Sequence, residues 1–343
     1  MSLATVSNAY NRPDQLSAEL RERVLEAAER LGYAGPDAMA RGLRRRRAGA
    51  IGVLYEDRLS YAFADPAAVL FLQGVSMSTE DAGLGLLLLS GAPGAEREPE
   101  AVRGSVVDGF VIYSMSDGDP LVEAALERRL PSVIVDQPHM EGLPFVGIED
   151  QSSARAMAEH LVALGHRRFG VISFASSPDL FSGIADISRL EGAVYQITRA
   201  RLNGCRKALE DAGVRWSDVP VYEHCGSSME AGRAAAEALL YLDPQPTAII
   251  CLSDQLALGA METVKSRGLS VPKDVSVAGF DDVPEAARAV PALTTIRQPH
   301  VEKGLLAGRL LISQIRGDVA QNPDLLTTRI VVRDSTAAPK ERE

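Results

Sequence analysis

From Ala50 onward the apolar positions alternate between two rhythms. Short unbroken runs at Ile51–Tyr55, Leu84–Leu89, Phe110–Tyr113, Val133–Val135, Phe169–Ser173, Ala248–Leu252 and Val275–Phe280 have the length of buried strands. Between them, Ala67–Asp81, Pro120–Arg129, Ser152–Leu164, Arg201–Ala212, Met229–Leu242 and Gln255–Arg267 space apolar residues at i, i+3 and i+4, as amphipathic helices do. Gly83, Gly165, Gly213 and Gly268 follow four of these helices, where a left-handed C-terminal cap favours glycine. Alternating units with near-continuous apolar strands predict parallel sheets covered by helices on both faces. Roughly 290 residues of this pattern exceed one doubly wound sheet, so two α/β lobes with a cleft between them are expected. A ligand then belongs beyond the carboxyl ends of the strands.

The first 50 residues read differently. Ser17 is placed to cap a helix whose stripe is Leu20, Val24, Ala27, Ala28 and Leu31, closed by Gly32. Pro36 starts a second short helix, Asp37–Leu43, which leads into Arg44–Arg47. The segment Ala4–Tyr10 is too short to fold alone and has no partner helix before it. No internal repeat or low-complexity tract is present.

Charge sharpens this division. The chain has 343 residues, 46% apolar and 24% charged, with a formal net charge of −10. Spread evenly, that charge would argue against a nucleic-acid partner. Yet residues 1–50 carry nine Arg against six acidic residues, and five of those Arg lie between Arg41 and Arg47. A basic head on an acidic body points to a polyanionic partner. Other classes fall away. No apolar run approaches the roughly 20 residues of a membrane span, and no export signal is visible. Cys205, Cys225 and Cys251 form no CxxC pair and read as reduced thiols, which indicates the cytoplasm. No GxSxG, HExxH or Walker-type loop occurs, and the five His do not cluster in sequence, so neither catalysis, metal nor cofactor is expected.

Collinear motifs then carry a resemblance. Ala4-Thr5-Val6-Ser7-Asn8-Ala9-Tyr10-Asn11 resembles the recognition helix of LacI/GalR-type transcriptional regulators. Ser17–Tyr33 is similar to their third helix, and Pro36–Leu43 to their hinge helix. Ile51-Gly52-Val53, Val107–Ile112, Leu164-Gly165-His166-Arg167-Arg168, Val271–Asp282 and Pro291–Gln298 continue the match in order. The resemblance implies a fold of two doubly wound parallel-sheet lobes of periplasmic-binding-protein-like type, preceded by a partial helix-turn-helix and a hinge helix. It divides the chain into residues 1–48, which read DNA, and 49–343, which bind effector and dimerise. Within the latter the N-lobe takes about 49–149 and 282–312, the C-lobe about 150–281 and 313–334. The family's first helix and turn would precede Thr5, where only Met1-Ser2-Leu3 stand. This chain is therefore expected to be truncated in its helix-turn-helix and to bind operator DNA poorly, since a recognition helix needs its neighbour to hold its angle.

The resemblance also implies site residues. Ala4 and Asn8 would read base edges, with Thr5 and Ser7 near phosphates; the competing reading is that Ser, Thr and Asn only cap a helix. Leu43 would wedge into the minor groove and Arg44–Arg47 sit by phosphates, against an apolar body contact and a solvated linker. In the cleft, Asp65, Tyr113, Asp150, Arg201, Ser227, Ser253, Asp254, Asp281 and Gln298 would face a small polar effector. Structural ion pairing competes at Arg201 and Asp281, and helix capping at Ser253 and Asp254. Ser253 replaces the family's usual Asn and Ser227 a frequent aromatic, with Phe63, Tyr113 and Phe174 as substitute rings. A carbohydrate leads as effector class, with nucleobases and other polar metabolites open. The long segment Phe174–Thr198 is read as a cleft lid or a subunit contact. The resemblance implies a repressor homodimer on a two-fold operator, and Ser335–Glu343, short, polar and without heptads, argues against a tetramer. The alternative function is a solute-binding protein of the same fold.

Overall fold

The structure, a computed structural model, describes residues 2–33, 47–91, 99–318 and 323–340. In the first lobe, β1 (Ala50–Tyr55), β2 (Gly85–Ser90), β3 (Phe110–Tyr113), β4 (Ser132–Val135) and β5 (Phe145–Val146) form an all-parallel sheet in the order β2-β1-β3-β4-β5. The second lobe holds β6 (Phe169–Ser173), β7 (Gly183–Ile184), β8 (Val221–Glu223), β9 (Ala248–Cys251), β10 (Ser276–Asp281), β11 (Thr294–Arg297) and β12 (Arg329–Val331). Their order is β12-β11-β10-β9-β6-β8-β7, parallel except for the two edge strands β7 and β12. The central strands are buried along their whole length, as the unbroken apolar runs require. Helices cover both faces. Phe71, Val111 and Leu311 pack one side of the first sheet, and Leu54, Ile112 and Leu121 the other.

All seven expected strands and six expected helices form, with ends displaced by at most five residues. Gly83 closes Pro66–Ala82 at φ 67°, and its N–H reaches the Glu80 carbonyl. The strands that pattern did not reveal, β5, β7, β8, β11 and β12, have two to four residues each, too few to show a period. The helix His300–Arg316 is likewise absent from the helices named above.

One lobe boundary is corrected. The first lobe was expected to resume at residue 282, but β11 still pairs with β10 in the second sheet, Ala278 beside Thr294 through Asp281 beside Arg297. The chain returns only with His300–Arg316, which lies along Pro66–Ala82. Gly74 and Gly304 let these helices touch: a Cβ at Gly74 would overlap the Val301 carbonyl, and one at Gly304 the Phe71 carbonyl. The chain then crosses back, Leu326 bridging Ile148, to β12.

At the N-terminus, Leu3–Asn11 is capped by Ser2, and Ala18–Arg30 by Ser17, whose hydroxyl accepts from Leu20 N. Ala9, Val24 and Ala28 are buried between them, so the first helix finds its partner after it in the chain. Leu31, expected in the apolar stripe, is 82% exposed because it lies past the helix end. The expected helix Asp37–Leu43, with Leu43 and Arg44, lies outside the described residues.

The close helix pair yields a test. Gly304→Ala should lose about 1–3 kcal/mol in urea unfolding through overpacking, outweighing the roughly 1 kcal/mol that alanine adds to helix propensity. Gly104→Ala, where a Cβ meets nothing within 4 Å, should be near neutral.

Candidate ligand-binding cleft

Four strands hand a polar residue to the junction of the lobes at their carboxyl ends. Glu56 follows β1, Ser114 follows β3, Asp136 follows β4, and Asp281 ends β10. With residues of the second lobe they line a cavity of about 210 Å³. Ser114, Asp136 and Asp281 have φ of 52°, 66° and 131°, backbone that costs energy outside glycine and tends to gather at functional sites.

Seven of the nine expected cleft residues line the cavity: Asp65, Tyr113, Arg201, Ser227, Ser253, Asp281 and Gln298. Asp65 caps Pro66–Ala82, accepting from Ala67 N at 3.1 Å. Tyr113 is stacked on Phe71, 4.0 Å between centroids, and on Tyr55 at 5.8 Å. The Ser227 and Ser253 hydroxyls are 2.7 Å apart, and Ser253 also caps Asp254–Ser266. Gln298 Nε2 donates to Asp281 Oδ1 at 2.7 Å, while its Oε1 accepts from Lys303 Nζ at 2.9 Å. Lys303 is 1% exposed and donates also to Asp136 Oδ1 at 2.6 Å.

Two expected residues stand behind the wall. Asp150 accepts from Arg201 Nε at 2.8 Å, so the ion pairing weighed against ligand contact exists, with Asp150 as its partner. Arg201 Nη1 donates to the Leu252 carbonyl, and its guanidinium lies 3.7 Å over the Phe280 ring. Asp254 is sealed below, accepting from Val283 N and from the Thr295 hydroxyl. Its carboxyl is drawn into the fold by these donors, away from the cleft. Phe63 is 64% exposed and outside the cavity; Phe174 and Tyr113 supply rings, joined by Tyr55 and Tyr195.

The long segment Phe174–Thr198 forms one wall and clasps the opposite lobe. Tyr195 Oη donates to Glu56, Gln196 Nε2 to Asp117 at 2.9 Å, and Ile197 N to Gln137 Oε1 at 3.0 Å. The segment is braced from inside by Arg189, which donates to both Glu223 and Asp179. Glu56, Asp136, Gln137, Tyr195 and His300 were not among the expected site residues. For Glu56 and Asp136 the position after a strand was a usable signal.

Burial governs ionisation here. It pushes the Asp65 carboxyl up to about 6, against the capping N–H groups of Ala67 and Ala68. Burial also raises Asp281, opposed by Arg201 and reinforced by Asp254 and Asp65, and takes Asp254 up to about 7. His300, 5% exposed, is driven down to about 3 by burial and then by Lys303 and Arg201.

On the DNA side, Ala4, Thr5, Ser7 and Asn8 all lie on Leu3–Asn11. Ala4 is exposed, the other three half-buried, and Asn8 Nδ2 stands 3.4 Å from Gln15 Oε1. Among the described residues no helix is long and apolar enough to cross a membrane.

The fold and the cleft define a two-lobed ligand sensor, and residues 158–336 match the periplasmic binding protein-like domain. The chain is 44% identical over 347 residues to an HTH-type transcriptional regulator of Mycobacterium tuberculosis, covering 99% of this chain and 94% of that one. Among solved structures, a LacI-family transcriptional regulator from Corynebacterium glutamicum superposes with a TM-score of 0.78 at 37% identity, covering 98% and 95% of the two chains. A complex of the transcriptional regulator CelR with cellobiose gives 0.71 at 28% identity, covering 97% and 95%. This chain belongs to the LacI family of HTH-type transcriptional regulators.

Buried His300 has a pH consequence. Below pH 6.5 the unfolded chain takes a proton at this position, whereas the folded chain resists until about 3, so stability is lost as pH falls through that window. Asp65 acts oppositely between about 6 and 3.8, where the folded carboxyl holds the extra proton. His300→Phe should lose less melting temperature than the wild type between pH 6.5 and 4. Parallel melting curves for the two proteins would refute the assignment.

Proposed function

We propose that the protein is a DNA-binding repressor whose operator affinity is controlled by a sugar bound between the two lobes. The carrying observation is the cavity itself. Groups from both lobes converge on it, Asp65 and Tyr113 from one, Arg201, Ser227, Ser253 and Asp281 from the other, with Gln298 at the crossing. Carboxyl, amide and guanidinium groups beside aromatic faces suit hydroxyls and the apolar face of a sugar ring. The cellobiose held by the related CelR supports this class of ligand.

The mechanism follows from the clasp. A ligand touching both lobes binds the closed arrangement better than an open one, and only that difference moves the equilibrium. The helix bearing Ala4, Thr5, Ser7 and Asn8 is the reader, with Asn8 placed to bond an adenine edge once it leaves Gln15. Leu43 and Arg44 serve as minor-groove wedge and phosphate contact in this reading. A homodimer in the cytoplasm presents two readers to a two-fold operator.

Chromatin immunoprecipitation of the native protein tests this. Discrete two-fold sites should be enriched, and occupancy should change when cells receive the effector sugar. Asn8→Ala should lower occupancy at least about tenfold, the worth of one bidentate base contact. Ala175→Trp, which fills part of the cavity, should leave basal occupancy intact and abolish the response. Occupancy indifferent to every sugar would refute effector control.

A further inference from the structure

The charges around the cleft do not balance. Among the described residues, the carboxyl groups of Glu56, Asp57, Asp65, Asp136, Asp179 and Asp281 line the cavity, against one guanidinium, that of Arg201. Arg201 is already paired with Asp150, and the nearby cations Lys303 and Arg189 are committed to Asp136 and to Asp179 with Glu223. Neither Asp65 nor Asp281 has a Lys or Arg nitrogen within 4.0 Å among the described residues. Asp281 receives the Gln298 amide, and Asp65 the N–H of Ala67. The cavity is thus rich in hydrogen-bond acceptors and short of uncommitted cations.

We propose that Asp65 is a specificity-determining residue which, with Asp281 from the other lobe, restricts the effector to an uncharged polyhydroxyl compound lacking phosphate and carboxylate. The proposal rests on the reading of the cavity as an effector site. An entering anion would meet the ionised Asp65 carboxyl and the acceptor-rich Asp281, and among the described residues no lining cation without a carboxylate partner, whereas hydroxyls donate to both. Burial sharpens the selection, because the low local dielectric strengthens repulsion that water would screen. Burial also lifts Asp65 to about 6, so near neutral pH the carboxyl is largely ionised and accepts charge-assisted bonds.

A helix cap alone would also explain Asp65, and Asp65→Asn separates the roles because Asn caps as well as Asp. Calorimetric titration of the full chain would use matched pairs: glucose with glucose 6-phosphate, ribose with ribose 5-phosphate, and trehalose with trehalose 6-phosphate. Binding is expected only from neutral members, each at least about tenfold tighter than its phosphate. Asp65→Asn should melt no lower than the wild type, since it keeps the cap and removes a desolvated charge, yet weaken the best neutral sugar about tenfold and narrow the gap to its phosphate. A phosphate binding the wild type more tightly than its neutral partner would overturn the proposal while leaving the effector cleft intact. The proposal also fails if Asp65→Asn changes neither affinity nor discrimination. If no member of either kind binds at millimolar concentration, the sugar-effector reading falls, and this proposal with it.

Discussion

The Lys303 ammonium is buried at the junction of the lobes, bonded to Asp136 Oδ1 and Gln298 Oε1. Desolvating such a charge costs several kcal/mol, and only well-placed partners offset it. Each partner is therefore constrained. Because the Gln298 oxygen faces the ammonium, its nitrogen must face Asp281, which orients that carboxyl at the end of β10. The relay runs from the first lobe through the crossing segment into the second. It ties together Asp136 and Asp281, both at positive φ, and its positive charge helps keep neighbouring His300 neutral.

The clasp and the relay bracket the cavity. On one side Tyr195, Gln196 and Ile197 reach across to Glu56, Asp117 and Gln137. On the other, the chain itself passes between lobes around Ile148, Gln298 and Leu326. Individual hydrogen bonds of this kind are modest against water, about 1 kcal/mol each. A contact set of that size can be remade by a small ligand, which is what a sensor needs. The glycine-mediated contact of Pro66–Ala82 with His300–Arg316 is different: backbone meets backbone, and little can shift. Each lobe can thus act as a stiff body joined to the other by exchangeable bonds.

Charge is divided by task. The acidic body surrounds an acceptor-rich cavity, while Arg is concentrated in the first 50 residues. The whole-chain value of −10 averages a surface that attracts DNA with one that repels it. The same acidity, brought into a confined cleft, becomes selectivity.

What the amino-acid sequence determined by itself was the periodic part. Strands such as Phe110–Tyr113 and helices such as Met229–Leu240 were legible because burial on a fixed face imposes a fixed spacing. The capping roles of Ser17 and Gly83 were legible because backbone geometry selects the residue type. Family motifs brought seven cleft residues into view, yet Asp150 and Asp254 were indistinguishable from them in sequence. Their carboxyls turn away because Arg201 in one case, and Val283 N with the Thr295 hydroxyl in the other, offer nearer donors. Only the tertiary structure decided these directions, the lobe to which β11 belongs, and the meeting of Lys303 with Asp136, 167 positions apart. Spacing along a chain records which face is buried; it holds no record of which distant donor will satisfy a buried charge.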